Sequence, residues 1–255
     1  DLLRKNDILA FGPSASAAKL EGSKFFAREF CRRYQIPQPE FKRFINAQKA
    51  KEYVDKIGPK CVVKADGLAA GKGVVVCQTK KQAYEAIDMM LLGGVGDAGE
   101  TIIVETCISG PELSAFALID SKVVTWLASA RDYKRAFDGD TGPNTGGMGA
   151  LSPSPEETNI LRDQIMDTIL IPVAKGMVLD GAPYTGILYA GLMLTKAGPQ
   201  VIEFNCRFGD PEAQVILPRL QSDLLELILI HCNQKQESAT VSFSNDIAIT
   251  VVMAN

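Results

Sequence analysis

Residues 60–77 read Lys-Cys-Val-Val-Lys-Ala-Asp-Gly-Leu-Ala-Ala-Gly-Lys-Gly-Val-Val-Val-Cys, and no other stretch limits the possible folds as tightly. Valine-rich runs at both ends favour strands, and the small residues between them favour a mobile turn. Three glycines (Gly67, Gly71, Gly73) and two lysines (Lys64, Lys72) are thereby placed on a strand–loop–strand hairpin. Backbone N–H groups approach phosphate oxygens closely only where Cβ atoms are missing, so such a hairpin suits a flap over polyphosphate. A P-loop would need four residues between its glycines, then Lys-Ser/Thr, then a helix. Here three residues separate Gly67 from Gly71, Gly73 replaces the hydroxyl residue, and Val74-Val75-Val76 continues as strand. The spacing argues against a Walker A site.

The rest of the chain alternates helix and strand patterns. Phe26, Phe30 and Tyr34 recur at four-residue spacing, predicting a helix over 23–34 whose Lys24, Arg28, Arg32 and Arg33 lie mainly on other, solvated faces. Pro37 and Pro39 end it, a short strand is expected at 40–45, and Asn46 caps a helix to about Ile57. Thr79 and Gln82 form a capping box. Four glycines in 93–99 predict a loop, and strands are expected at 101–105 and 113–119. Residues 133–155 carry almost no periodic pattern. Ser154-Pro155-Glu156-Glu157 reads as a helix start and Pro172 as its kink or end. Strands are expected at 188–195 and 200–205, then helices from Asp210-Pro211 and from Ser222-Asp223 to Cys232. The pattern is mixed α/β (α+β), built on hairpins rather than uniform βαβ crossovers, which counts against a Rossmann sheet.

With 255 residues the chain can bury a substantial core. A net charge of −3 gives no electrostatic footprint for nucleic acid or an anionic membrane surface. No apolar run approaches the ~18 residues of a membrane span. The six cysteines show no CxxC pair and lie mostly in apolar runs, so they read as reduced packing residues of a cytosolic protein. A strand-like segment near each terminus, without evident neighbours, predicts a piece of a longer polypeptide.

Three further segments carry chemistry. On a strand at 201–205, Glu203 and Asn205 share a face, and their oxygens suit Mg²⁺, which takes a few protein oxygens plus phosphate and water. Arg207 continues that face with a planar fork for a phosphoryl or carboxylate group. Asp210, just before Pro211, reads as a helix cap. Residues 132–150 contain Asp132-Tyr133-Lys134-Arg135 and then a glycine-, threonine- and asparagine-rich run with few charges, which marks a functional loop over a solvated tail. At 104–113, a strand runs into a linker whose free backbone groups could pair with an adenine edge, with Glu112 placed for ribose hydroxyls. The single histidine, His231, ends an apolar helix and reads as structural.

In this order, these segments resemble the ATP-grasp enzymes, and among them the phosphoribosylamine–glycine ligase family. The landmarks are Phe11-Gly12-Pro13, Leu20-Glu21-Gly22-Ser23-Lys24, the run Lys64 to Gly73, Gly142 to Ala150, Tyr184-Thr185-Gly186, Leu188 to Gly191, and Glu203 to Glu212. The resemblance implies an ATP-grasp fold of mixed and antiparallel sheets with a smaller mobile lid at about 46–105. Residues 1–13 would close an N-terminal domain, 14–255 would form the ATP-grasp domain, and a C-terminal domain would follow. It also implies ATP with Mg²⁺ or Mn²⁺, and the substrates glycine and 5-phosphoribosylamine, joined through glycyl phosphate. Fusion to other purine-synthesis activities, as in the animal trifunctional chain, is a further implication.

Carried over by residue, Lys64 would serve the α-phosphate and adenine side, and Gly71-Lys72-Gly73 would cover the β- and γ-phosphates. Glu105, Thr106, Cys107 and Ile108 would line adenine, and Glu112 would hold ribose. Glu203 and Asn205 would ligate the metal, with Arg207 near the transferring phosphoryl group. Lys134, Arg135 and Asn144 would face glycine and phosphoribosylamine. Tyr133 departs from the histidine usual in the family, so no titrating group near neutrality is expected there.

Overall fold

The computed structural model describes residues 2–67, 73–121, 123–139, 141–232 and 240–253. Antiparallel ladders build two main sheets. The smaller has the order β1-β4-β2-β3, with β1 (Phe41–Phe44), β2 (Cys61–Ala65), β3 (Val74–Cys77) and β4 (Ile102–Thr106). Cys61, Val63, Ala65, Ile102 and Val104 form a core with the helices Ala47–Ile57 and Lys80–Met89. The caps are those the sequence predicts. Asn46 Oδ1 accepts from Lys49 N at 3.0 Å, and Thr79 and Gln82 close a capping box.

The larger sheet runs β11-β10-β5-β6-β9-β12. Its strands are β5 (Glu112–Asp120), β6 (Val123–Asp132), β9 (Gly149–Ser152), β10 (Thr185–Thr195), β11 (Gly198–Asn205) and β12 (Ala248–Val251). One face packs on the helix Lys24–Arg33 and the helical run 159–179, and the other on residues 213–216 and 224–232. With both faces covered, β5 is buried from Leu113 through Asp120, which explains the apolar run 115–119. A third pair joins β7 (Arg135–Phe137) to β8 (Thr141–Asn144).

Several sequence expectations need correction. Residues 133–155 are not patternless: they hold β7, β8 and β9, and β9 is pinned between β6 and β12. Glycine-rich strands give little apolar alternation to detect. The helix expected at Ser154 begins at Asn159, because Thr158 accepts from Leu161 N at 3.1 Å while residues 154–157 close a turn. Pro172 does not end that helix. A wide turn at Met166–Leu170 leads into Ile171–Leu179, where the proline falls in a first turn that needs no donor. The glycine-rich stretch at 93–99 is a run of tight turns, as expected of a loop, with Gly93 at φ 90° and Gly96 at φ 62°. The helix expected from Asp210 starts at Ala213 and passes into a 3₁₀ turn at Leu217–Arg219. All six cysteines are free. His231 is structural as read: Nδ1 lies 2.8 Å from Leu227 O and Nε2 3.1 Å from Thr125 Oγ1.

Candidate active site

Three recesses meet between the two sheets. The first, about 250 Å³, is lined from below by Ile202, Glu203 and Asn205 of β11 and by Arg207. Lys64 of β2, Glu105 of β4, and Gly73 and Val74 at the start of β3 close it from above. Its side wall is Glu21, Lys24 and Arg28. Gly71 and Lys72 of the flap lie outside the described residues, but the adjoining Gly73 shares this cavity with Glu203.

Glu203 and Asn205 alternate onto one face, as the strand pleat requires, with Asn205 Nδ2 3.5 Å from Glu203 Oε1. Their neighbour across the ladder, Gly191, pairs with Glu203, and a Cβ there would come within 3.1 Å of Glu203 Cγ. The missing side chain gives the carboxylate room. Arg207 Nη2 donates to Asn205 Oδ1 at 3.3 Å, and its Nε lies 3.3 Å from Glu21 Oε1. Glu21 Oε2 in turn accepts from Cys206 N at 2.7 Å.

On the opposite wall lies a buried ion cluster. Arg28, 3% exposed, donates through Nε and Nη2 to the two oxygens of Glu105 at 2.6 and 3.0 Å. It also donates to Val201 O and Ile202 O. Lys64 Nζ is 2.9 Å from Glu105 Oε2 and 3.0 Å from Ile202 O. One guanidinium thus clamps β4 of the small sheet to β11 of the large one. Burial works against the Glu105 charge, but Lys64 and Arg28 outweigh it and hold the carboxyl below its ordinary value. Burial lowers Lys64 despite the attraction of Glu105. An ammonium carries three donors, so Lys64 has one beyond these two contacts to offer a ligand.

Arg28 corrects the reading of its helix as solvated apart from the aromatic stripe. Arg32 and Arg33 do face outward, but Lys24 and Arg28, one helical turn apart, line the cavity. Lys24 Nζ donates to Gly67 O at 2.7 Å at the root of the flap. Beside it, Asp66 Oδ1 accepts from Ser23 Oγ (2.9 Å) and Phe25 N (3.0 Å), fixing the flap to the helix N-terminus. The four-residue spacing of the two cations is the sequence signal for this face, and the aromatic stripe on the same helix masks it.

The second recess, a narrow crevice, joins the first through Ile202 and Glu203 and adds Glu112, Ser114, Asp132, Lys134 and Tyr189. The third, about 730 Å³, shares Glu112, Asp132 and Lys134 with the crevice and adds Tyr133, Arg135 and Asn144. Burial opposes the Lys134 charge, but Glu203, Glu112, Asp132 and Glu212 together raise its pKa. Thr106, Cys107 and Ile108 follow Glu105 in the passage from one sheet to the other, and none lines the three recesses. The remaining described candidates are brought together in this connected space.

Asp132, which went unassigned in the sequence, has a side chain 6% exposed. Burial, then the neighbouring Glu212, push its carboxyl up to about 7 from an ordinary 3.8. A raised carboxylate pKa favours the folded state only below its unfolded value, and that advantage is lost as pH rises toward the folded one. The melting temperature of Asp132→Asn relative to the unsubstituted protein is therefore expected to climb from about pH 4 to about pH 7 and level off above. The corresponding change in relative stability is on the order of a few kcal/mol. Thermal melts across pH check this, and a pH-independent difference would refute it.

Comparison with known proteins fits this geometry. The family described as phosphoribosylglycinamide synthetase, ATP-grasp (A) domain, matches residues 22–213. The chain belongs to this family. It is 49% identical over 255 residues to the phosphoribosylamine–glycine ligase of Rhizobium meliloti, covering all of this chain and 60% of that protein. Against the Escherichia coli K12 protein of the same name it is 47% identical over 256 residues, again covering 60% of the relative. The chloroplastic ligase of Arabidopsis thaliana is 50% identical, with 48% of its length covered. The chain therefore spans about half to three-fifths of these relatives. Among solved structures, the phosphoribosylamine–glycine ligase of Thermotoga maritima superposes with a TM-score of 0.84 at 34% identity, over 94% of this chain and 61% of that one. The biotin carboxylase domain of Hydrogenobacter thermophilus 2-oxoglutarate carboxylase, solved with MgADP and bicarbonate, gives 0.75 at 19% identity over 97% of this chain and 53% of that one, a likeness of fold alone. The fold is ATP-grasp. No helix among the described residues is long and apolar enough to cross a membrane.

Proposed function

We propose that the protein containing this chain joins glycine to 5-phosphoribosylamine at the expense of ATP, yielding glycinamide ribonucleotide, ADP and phosphate. The observation that carries this reading is the cavity in which Lys64 and Gly73 oppose Glu203, Asn205 and Arg207, opening toward a second polar recess. A carboxylate is a poor acyl donor because its leaving group would be oxide. Transfer of the γ-phosphoryl group to the glycine carboxylate gives an acyl phosphate and ADP, and the amine then displaces phosphate. Such chemistry asks for positioning and charge neutralisation rather than a protein nucleophile.

In this reading the triphosphate lies between the flap and β11. Lys64, Lys24 and the Gly71-Lys72-Gly73 segment serve the phosphates, and Arg207 faces the phosphoryl group in transit. Adenine lies toward Glu105, Thr106, Cys107 and Ile108, and ribose toward Glu112. Lys134, Arg135 and Asn144 face the acid and the acceptor amine. Glu203 and Asn205 supply two hard oxygens, a set that fits Mg²⁺ or Mn²⁺ completed by phosphate and water. The metal would neutralise charge on the phosphoryl oxygens. Residues 14–255 form the ATP-grasp domain in this reading, with a lid at about 46–105 and 1–13 ending a preceding domain. A cytoplasmic setting and fusion to other purine-synthesis activities belong to the same reading.

ADP release by the full-length protein, followed with glycine, bicarbonate and formate in turn, tests the substrate. Release that needs glycine together with phosphoribosylamine is expected. Equal release with another acid would assign the chain to a different ATP-grasp ligase, and ATP binding without any release would make it a silent nucleotide-binding module.

A further inference from the structure

Asp132 sits where the crevice beside Glu203 meets the large recess, and it lines both. Its Oδ1 is buried and finds no hydrogen-bond partner among the described residues. Its Oδ2 lies 4.0 Å from Lys134 Nζ, a loose ion pair. A buried acceptor left without a donor is destabilising, and a ligand N–H would relieve it. The surroundings pack closely, with room beside Oδ1 for a residue without a side chain only. Gly147, at φ +121°, approaches from the facing loop, and a Cβ there would come within 3.1 Å of Oδ1 and 2.4 Å of Pro211 Cδ. The nearby Glu212 is occupied elsewhere, since its Oε1 accepts from Ser114 Oγ at 3.0 Å. Glu112 is 3.8 Å from Lys134 and half exposed.

We propose that Asp132 is the catalytic residue that receives the proton of the attacking amine. The proposal rests on the ligase reading above and names the group that reading leaves out. The amine nitrogen's lone pair forms the C–N bond to the acyl-phosphate carbon. The C–O bond to phosphorus breaks with its electron pair passing to phosphate. One N–H proton moves to Asp132 Oδ1, which later returns it to solvent or to departing phosphate. The primary amine supplies the donor that Oδ1 lacks, and Lys134 offsets the carboxylate charge before the proton arrives. Glu212, Glu112 and Glu203 surround the pair and oppose a further negative charge, which suits a group able to take up a proton near neutrality.

Two half-reactions separate this role from a structural one. In the full-length protein, exchange of oxygen between the bridging and non-bridging positions of ATP, dependent on glycine, reports acyl-phosphate formation alone. Amide formation from phosphoribosylamine reports both steps. Asp132→Asn is expected to keep the exchange within about threefold while amide formation falls by about 10²–10⁴-fold. Asp132→Ser, smaller and also neutral, runs in parallel in case the asparagine variant does not fold. If both reactions persist in the variants, or if both are lost together, Asp132 does not serve the amine. If the unsubstituted protein shows no glycine-dependent exchange, the ligase reading itself fails, a result distinct from either.

Discussion

Glu203→Gln is expected to lower turnover by about 10²–10³-fold in the full-length protein while nucleotide affinity changes only a few-fold. The substitution keeps size and hydrogen-bonding reach, and removes the one formal negative charge in the Glu203–Asn205 pair. Losing a group that fixes charge around a transferring phosphoryl costs about that much, whereas the base, ribose and lysine contacts still hold the nucleotide. Raising Mg²⁺ or Mn²⁺ should recover part of the loss, because a weaker site fills at higher metal concentration. Steady-state ADP release across a metal titration, with a fluorescent nucleotide for binding, checks this. Turnover like that of the unsubstituted protein would remove Glu203 from the site.

Arg28→Met should produce the largest stability change. Arg28 makes two contacts to Glu105 and donates to Val201 O and Ile202 O, all with a side chain 3% exposed. Methionine fills much of the volume but leaves a buried carboxylate with Lys64 as its one remaining cationic contact among the described residues. Breaking a buried pair from one side costs about 3–5 kcal/mol, or a fall in melting temperature of roughly 6–20 °C for a chain of this size. The double variant Arg28→Met, Glu105→Gln should regain little of it, since Lys64 then keeps a buried ammonium without its counter-ion. Thermal melts and a double-mutant cycle provide the measurement. A loss below about 1 kcal/mol would mean that the two sheets are held together by other contacts.

The sequence made some of this site plain for identifiable reasons. Strand alternation set Glu203 and Asn205 side by side, and the valine runs around Gly67 to Gly73 announced a hairpin. Both are local signals that a single segment carries entirely. Arg28, Lys24 and Asp132 were harder because their meaning is non-local. Arg28 acquires its role only when β4 delivers Glu105 77 positions away and β11 delivers two carbonyls more than 170 away. On its own helix it looks like any cation beside a solvated arginine pair. Asp132 reads as one polar residue in a polar run until the turn carrying Glu212 folds over it. The adenine assignment of Glu105 shows the same limit from the other side. Its place on a strand end was legible, but not the two cations that occupy both of its oxygens.

The central physical claim is that the flap and β11 are the two jaws of one triphosphate site. A crystal structure of the full-length protein with Mg²⁺ and a non-hydrolysable ATP analogue tests it most directly. The account predicts phosphate oxygens in contact with Lys64 and the Gly73 backbone, and metal on Glu203 and Asn205. Nucleotide bound instead in the recess of Tyr133, Arg135 and Asn144, with Glu203 and Asn205 free of metal, would contradict it.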